Sequence, residues 1–377
     1  MTIAVNAVNA GYPDDNSAYV TDCFFRLAQQ LPGHRFIFIT ANAADAKYTA
    51  LENITAVHTG PSPGTPLRLQ YWLRFTLPAI LKKNNADLLV SNGYCSLSSK
   101  LPQLLFITDL SFLHHPEWYK KSWLQFYKKN MPGFLKKAAA IITPAAVIKE
   151  ACVGLNKEVT ANITILPPFA DEHFKPVIHW QQKETVKEKY TAGKEYFLYS
   201  GPIDPHKNLI HLLKAFSFFK QRQKSNMLLV LASAGMAHKK ILQSLSAYKY
   251  RADVVVAENL PVAAMAMLTA AAYAVVHPVQ YDGTGIFPIQ AICCDVPVIA
   301  SGTATLKEIC GPAAVYSNPE DFNDLAAKMM LVFKDEDERN LLIARGRERA
   351  QLYSIEKGAA LLGKIIVQFA GTGSLNQ

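Results

Sequence analysis

The chain has 377 residues, which suits two domains of roughly 150 to 200 residues each better than one. Half of its residues are hydrophobic and 18% are charged, which excludes a disordered, fibrous or low-complexity protein. The formal charge of +9, from 39 Lys and Arg against 30 Asp and Glu, admits nucleic acid, anionic lipid or a phosphorylated small molecule as partner.

The charge is uneven: residues 1–170 hold 16 basic and 10 acidic side chains, the remainder 23 and 20. No apolar run approaches the roughly 18 to 20 residues of a membrane span, and the opening MTIAVNAVNAGYPDD shows no basic leader or cleavage site, so a cytosolic location is expected. Cys23, Cys95, Cys152, Cys293, Cys294 and Cys310 are scattered without C-x-x-C spacing, which argues against a disulfide framework or a zinc site.

In chain order, a predicted strand (Ile3–Val8), a Gly/Pro/Asp/Asn loop (Asn9–Ser17), a helix (Ala18–Gln30) and a strand (Arg35–Thr40) make a βαβ start. Apolar runs at Ala86–Ser91, Gln103–Thr108 and Ala140–Thr143 alternate with helical stretches at Leu69–Lys82 and Ser122–Ala138, the pattern of a parallel sheet covered by helices. After a short strand at Ile163–Leu166, Pro167, Pro168, Asp171 and Pro176 interrupt regular patterning before a charged helix, Gln181–Tyr190. A domain boundary is placed near residue 170.

The alternation then restarts. Strands are expected at Tyr196–Ser200, Met227–Ala232, Asp253–Ala257, Ala274–His277 and Pro297–Ala300, with helices at Leu209–Arg222, Ala237–Tyr248, Val262–Ala271 and Phe287–Cys294. Helices Glu320–Lys334, Asp337–Leu352 and Ser354–Phe369 close the chain. The fold class is therefore α/β, with two doubly wound, Rossmann-like parallel-sheet domains. The two halves share a pattern of elements but no short repeat, which excludes solenoids and propellers.

The segment HPVQYDGTGIFPIQAICCDVPVIAS, residues 277–301, leads from a strand through a Gly-containing loop into a helix. Gly283 and Gly285 let the backbone approach a ligand, and the amides of Thr284, Gly285, Ile286 and Phe287 are expected to point outward from the helix start, where phosphate is attracted. A βα turn often contains glycine for its own geometry, so spacing alone leaves a plain turn as the more frequent explanation.

This segment resembles the donor-sugar motif of retaining glycosyltransferases of family 4, Tyr-Glu-Gly-Phe-Gly-Leu-Pro followed by a second Glu and Ala-Met-Ala-Cys-Gly-Thr-Pro-Val. Tyr281, Gly283, Gly285, Ala291, Cys294, Pro297 and Val298 match it. GPIDPHKNL at 201–209 resembles that family's Gly-x-x-x-Pro-Arg-Lys-Asn-Leu loop, DLSFLHHPE at 109–117 its His-Asp-Leu-Ser-Phe segment, and ILPPFADEHFKP at 165–176 its interdomain linker.

The resemblance covers nearly the whole chain and implies the GT-B fold, two Rossmann-like domains facing a central cleft. It implies an acceptor-side domain over 1–170, joined by a returning helix from 354–377, and a nucleotide-sugar domain over 171–353. It implies transfer of a sugar from a nucleotide diphosphate sugar to a polysaccharide or lipid-linked acceptor, with retention and with no metal or other cofactor.

The implied donor site comprises Thr108, Ser200, Gly201, His206, Lys207, Tyr281, Asp282, Gly283, Thr284, Gly285, Ile286 and Gln290. Lys207, Asp282 and Asp109 are the implied catalytic residues. A lysine at 207 would stabilise charge gathering on the leaving diphosphate, or stand as a solvated lysine at a helix start. Asn208 is expected to cap the helix after it, and Asp109 is as readily a turn cap as a sugar-site residue.

Four positions depart from the motif. His206 replaces Arg, Asp282 and Gln290 replace the two Glu residues, and Thr108 replaces a His. Asn16, Ser17 and Ala18 stand near the place of a Gly-rich acceptor loop. These departures leave open a second reading, a non-catalytic relative that binds a ligand or partner without transferring sugar.

Trp118–Lys137, WYKKSWLQFYKKNMPGFLKK, has six lysines, no acid and six interleaved aromatics. It is a candidate for peripheral contact with an anionic membrane face, or equally a half-buried aromatic helix with a solvated lysine face. No helix-turn-helix, zinc finger or similar module accompanies the charge, so nucleic acid is not an expected partner.

Overall fold

A computed structural model describes residues 1–8, 17–41 and 51–372. The loop expected at residues 9–16, with Asn16, lies outside them; Ser17 and Ala18 open the first helix. The chain divides into two compact units, Met1–Pro167 with Glu356–Gln377, and Pro168–Ile355.

The first unit is built from β1 (Thr2–Asn6), α1 (Ser17–Gln30), β2 (Arg35–Thr40), β3 (Ile54–His58), α2 (Pro66–Tyr71), α3 (Leu77–Lys83) and β4 (Leu88–Asn92). It continues through β5 (Gln103–Phe106), α4 (Ser111–His114), α5 (Lys121–Lys137), β6 (Ala140–Thr143), α6 (Ala146–Leu155) and β7 (Ile163–Ile165). All seven strands are parallel, in the order β3-β2-β1-β4-β5-β6-β7.

The single helix expected at Leu69–Lys82 is interrupted by a π-helical turn, Trp72–Thr76, between α2 and α3. Pro78 has no amide to offer and its ring crowds the preceding turn, so the ladder widens there. The carbonyls of Leu73 and Arg74 are taken up by the Ser96 and Ser98 hydroxyls.

The second unit holds α7 (Trp180–Thr191), β8 (Tyr196–Ser200), α8 (Leu209–Gln223), β9 (Leu228–Ala232), α9 (Lys239–Ser246), β10 (Val254–Ala257) and α10 (Val262–Ala270). It goes on through β11 (Ala274–His277), α11 (Ile286–Cys293), β12 (Val298–Ser301), α12 (Ala304–Cys310), β13 (Ala314–Ser317), α13 (Phe322–Lys334) and α14 (Glu336–Ala350). Its six parallel strands run β10-β9-β8-β11-β12-β13. Strands β8 and β9 are buried along their whole length, which explains why their sequences, YFLYS and LLVLA, are almost continuously apolar.

The last helix, α15 (Ile355–Thr372), begins at the end of the second unit, and from Glu356 it belongs to the first. Gly363 lies on it beside Leu27 of α1. All six cysteines are free, five of them buried. Among the described residues no helix is long and apolar enough to cross a membrane.

Candidate functional site

In both sheets the strand order reverses once, between β1 and β4 and between β8 and β11. Open α/β sheets bind ligands outside the carboxyl ends of the strands at such a reversal. In the second unit the loops leaving that point are 201–208, after β8, and 278–285, after β11.

Ser200 ends β8 and is 2% exposed, and its hydroxyl has no partner among the described residues. Gly201 follows with φ +140°, and a Cβ there would meet Tyr199 Oη at 3.1 Å and the Phe287 ring at 3.2 Å. The loop after β8 therefore runs against the first turn of α11, too close for a side chain.

Asp204 accepts the His206 amide at 3.0 Å, and His206 Nδ1 lies 2.6 Å from Asp204 Oδ1. The imidazole expected at the place of an arginine is thus turned toward its own loop. Lys207 is 7% exposed, so it is not the solvated lysine of the bland expectation. Asn208 adopts a left-handed conformation (φ 58°) and makes no cap. Instead its amide donates to Pro278 O at 2.8 Å and Pro319 O at 2.7 Å, tying the lysine loop to the loop after β11. Its role is structural, as expected, but through these carbonyls rather than through capping.

Asp282 is bound closely to its own loop. Oδ1 accepts the amides of Thr284 and Gly285, each at 2.8 Å, and the Thr284 hydroxyl at 3.3 Å; Oδ2 lies 2.7 Å from His277 Nε2. With 8% exposure and both oxygens engaged, the carboxylate holds the fold of its own loop. Burial alone would raise its pKa, but the bond to His277, the charges of His277 and Lys207 and the Gly285 amide together bring it below the ordinary range.

The same bonds occupy two of the four amides expected at the helix start. Those of Ile286 and Phe287 have no acceptor among the described residues. Gly285, at φ 62°, is the residue before α11, and a Cβ on it would lie 2.8 Å from Ile309 Cδ1. Gly283 and Thr284 are buried, whereas Tyr281, Ile286 and Gln290 are half-buried. The Gln290 amide makes no hydrogen bond among the described residues, which leaves it open to a ligand.

Thr108 and Asp109 belong to the first unit. Thr108 Oγ1 donates to Asn92 Oδ1 at 3.0 Å, and Asp109 Oδ1 accepts the Ser111 amide at 2.6 Å. Asp109 thus acts as a cap of the turn into α4. In α5 the side chains of Trp123, Phe126, Tyr127 and Phe134 are buried, as is Tyr119 before it. Lys120, Lys121, Lys128, Lys129, Lys136 and Lys137 are exposed. The aromatics are core, so this stretch is a half-buried aromatic helix with a solvated lysine face.

Lys207, the β8 end, the 278–285 loop and the start of α11 therefore make one polar, cation-bearing cluster within the second unit. His277 was not among the expected site residues. The available signal was a histidine ending an apolar strand five residues before an aspartate.

Residues 181–349, under half of the chain, match the model of the family glycosyl transferases group 1. O-antigen chain mannosyltransferase B of Escherichia coli is 25% identical over 254 residues, 66% of this chain and 65% of that protein; the match thus spans just under two thirds of the relative's own length. Sucrose-phosphate synthase of Thermosynechococcus elongatus superposes with a TM-score of 0.78 at 19% identity, covering 98% of this chain and 99% of that one. Anabaena HepE in complex with UDP and glucose superposes with a TM-score of 0.77 at 15% identity, covering 98% and 100%. The fold is accordingly of the GT-B type, with two Rossmann-like domains.

Proposed function

We propose that this chain is a retaining glycosyltransferase, which takes a sugar from a nucleotide diphosphate sugar and passes it to a saccharide or lipid-linked acceptor in polysaccharide assembly. The observation that carries the proposal is the buried Lys207 together with the start of α11, whose Ile286 and Phe287 amides have no acceptor among the described residues. A buried cation and outward amides are matched to a diphosphate, because both stabilise the charge that collects on the leaving nucleotide as the glycosidic bond breaks.

The Gln290 amide, four residues along α11, offers one acceptor and two donors for ribose hydroxyls. Ser200 and Gly201 line the floor at the end of β8. Asp282 acts on the loop rather than on the sugar, and Asp109 on the turn into α4, so neither is assigned the reacting atoms. The mannosyltransferase relative and the UDP-bound structural neighbour support this class of reaction.

The experiment is a transfer and donor-hydrolysis assay with a panel of UDP- and GDP-sugars on the full chain and on Lys207→Ala. Removing one preorganised charge from such a site lowers turnover by about a hundredfold or more. Full activity in Lys207→Ala would refute the phosphate assignment. Failure of every donor to raise the wild-type melting temperature or to be hydrolysed would refute the enzyme proposal and favour a ligand-binding protein.

A further inference from the structure

His277 is the last residue of β11 and is 1% exposed. Its ring lies 6.4 Å from the near-parallel Tyr199 ring and 6.1 Å from Phe287, the second residue of α11. The register of β11 against β8 pairs Ala274 with Phe197 and Val275 with Leu198. Ser200 and His277 are the last residues of these two neighbouring strands. His277 Nδ1 and Ser200 Oγ both lack partners among the described residues, so the polar floor of the site spans both strands of the reversal.

An ionised Asp282 only accepts hydrogen bonds, so His277 Nε2 carries the proton shared at 2.7 Å. That bond fixes one carboxylate oxygen, and the geometry of the group then fixes the other. Oδ1 is left where it takes the Thr284 and Gly285 amides. Without His277, Oδ2 would be a buried anionic oxygen with no donor, within the field of Lys207. Rotation of the carboxylate to find another donor would release the loop.

We infer that His277 is a positioning residue for donor binding: through Asp282 it clamps the 282–285 loop and leaves the Ile286 and Phe287 amides as the face presented to a diphosphate. The inference rests on the glycosyltransferase proposal for the identity of the ligand. Its geometry stands on the nucleotide-free protein.

The test compares UDP and GDP with uridine and guanosine as ligands of the full chain, by calorimetry and competition, for wild type, His277→Leu, His277→Gln, Asp282→Asn and the His277→Leu/Asp282→Asn double variant. Loss of a charge-assisted bond predicts nucleoside diphosphate binding weaker by about tenfold or more in His277→Leu and Asp282→Asn, with nucleoside binding within about twofold of wild type. The double variant should be no worse than the weaker single, because both changes break one clamp. The glutamine amide can donate from near the Nε2 position, so His277→Gln should stay within about threefold of wild type.

In parallel, hydrogen exchange of the nucleotide-free protein should show the segment 282–287 exchanging about tenfold faster in His277→Leu and unchanged in His277→Gln. Unchanged diphosphate binding in His277→Leu, equal loss of nucleoside and diphosphate, or additive losses in the double variant would overturn the inference. If the wild type binds neither nucleotide, the donor proposal fails, and the exchange of segment 282–287 alone decides whether the clamp exists.

Discussion

Gly285 links the stability of the second unit to the geometry of its candidate site, and Gly285→Ala measures that link. At φ 62° an alanine must enter the left-handed region, at a cost of about 1–2 kcal/mol, partly offset by about 0.4–1 kcal/mol from the stiffer unfolded chain. The new Cβ would lie 2.8 Å from Ile309 Cδ1, 3.1 Å from its Cγ2 and 3.4 Å from its Cβ. Ile309 cannot swing away easily: it is 2% exposed, and its carbonyl accepts Arg349 Nε at 2.8 Å and the Tyr353 hydroxyl at 2.7 Å. Overpacking of this kind costs about 1–3 kcal/mol.

The net expectation is a destabilisation of about 2–3 kcal/mol, which for a unit of this size lowers the melting temperature by roughly 5–10 °C. Scanning calorimetry that resolves the transition of the second unit is the assay, because a two-unit chain need not melt in one step. Adding Ile309→Val removes Cδ1, the nearest of the three atoms, and should recover part of the steric loss while leaving the backbone part. Gly346→Ala in α14 is the control: its nearest neighbour beyond its own helix, Ile292 Cγ2, is 3.7 Å away, so alanine should be neutral or stabilising by up to about 1 kcal/mol. A Gly285→Ala variant within about 0.5 kcal/mol of wild type, or no relief from Ile309→Val, would refute the steric account.

Further measurements probe the titrating groups. The folded Asp282 carboxyl lies below its ordinary value of 3.8, so its contribution is present above that value and is lost as the pH falls below about 4. Asp282→Asn should therefore flatten the acid limb of the melting-temperature profile between about pH 5 and 2, and an unchanged slope would count against the paired carboxylate. Burial pushes the thiols of Cys95, Cys152 and Cys310 up to about 12 and that of Cys293 up to about 11. At pH 8 a disulfide reagent should find little beyond slow reaction at the half-buried Cys293, whereas the unfolded chain should yield all six thiols. Rapid reaction of two or more thiols in the native protein would contradict the burial described.

Much of the second unit could be read residue by residue because its strands are buried on both faces and so are written as apolar runs. Strands β8 and β11 fall at Tyr196–Ser200 and Ala274–His277 in both the sequence expectation and the structure. Strand β3, Ile54–His58, escaped notice: only Ile54 is buried and the rest are half-buried or exposed, so neither alternation nor a continuous run marks an edge strand that pairs only with β2. The short α12 and β13 were missed because their residues carry too few turns or alternations to establish a period. In α5 the evidence was present but divided: Trp123, Phe126, Tyr127, Phe134 and Leu135 recur at helical spacing on one face, which is the mark of burial, while the lysines between them advertised a surface.

Local chemistry was set by the chain itself. Glycines at 201 and 285, proline at the boundary, a lysine in a loop after a strand and a Gly-containing entry to a helix act through steric freedom, fixed φ and charge, which are properties of individual residues. Alternating runs then sufficed for two parallel-sheet units. The order of the strands was a matter for the tertiary structure, because it depends on which faces pack together over long separations. That order sets β8 beside β11 and so brings Asn208 to the carbonyl of Pro278, 70 residues away. It also decided what Asp282 does. A carboxylate five residues after a histidine can face a ligand or its own loop, and only the left-handed turn at Gly285, with His277 fixed at the end of its strand, directs both oxygens inward.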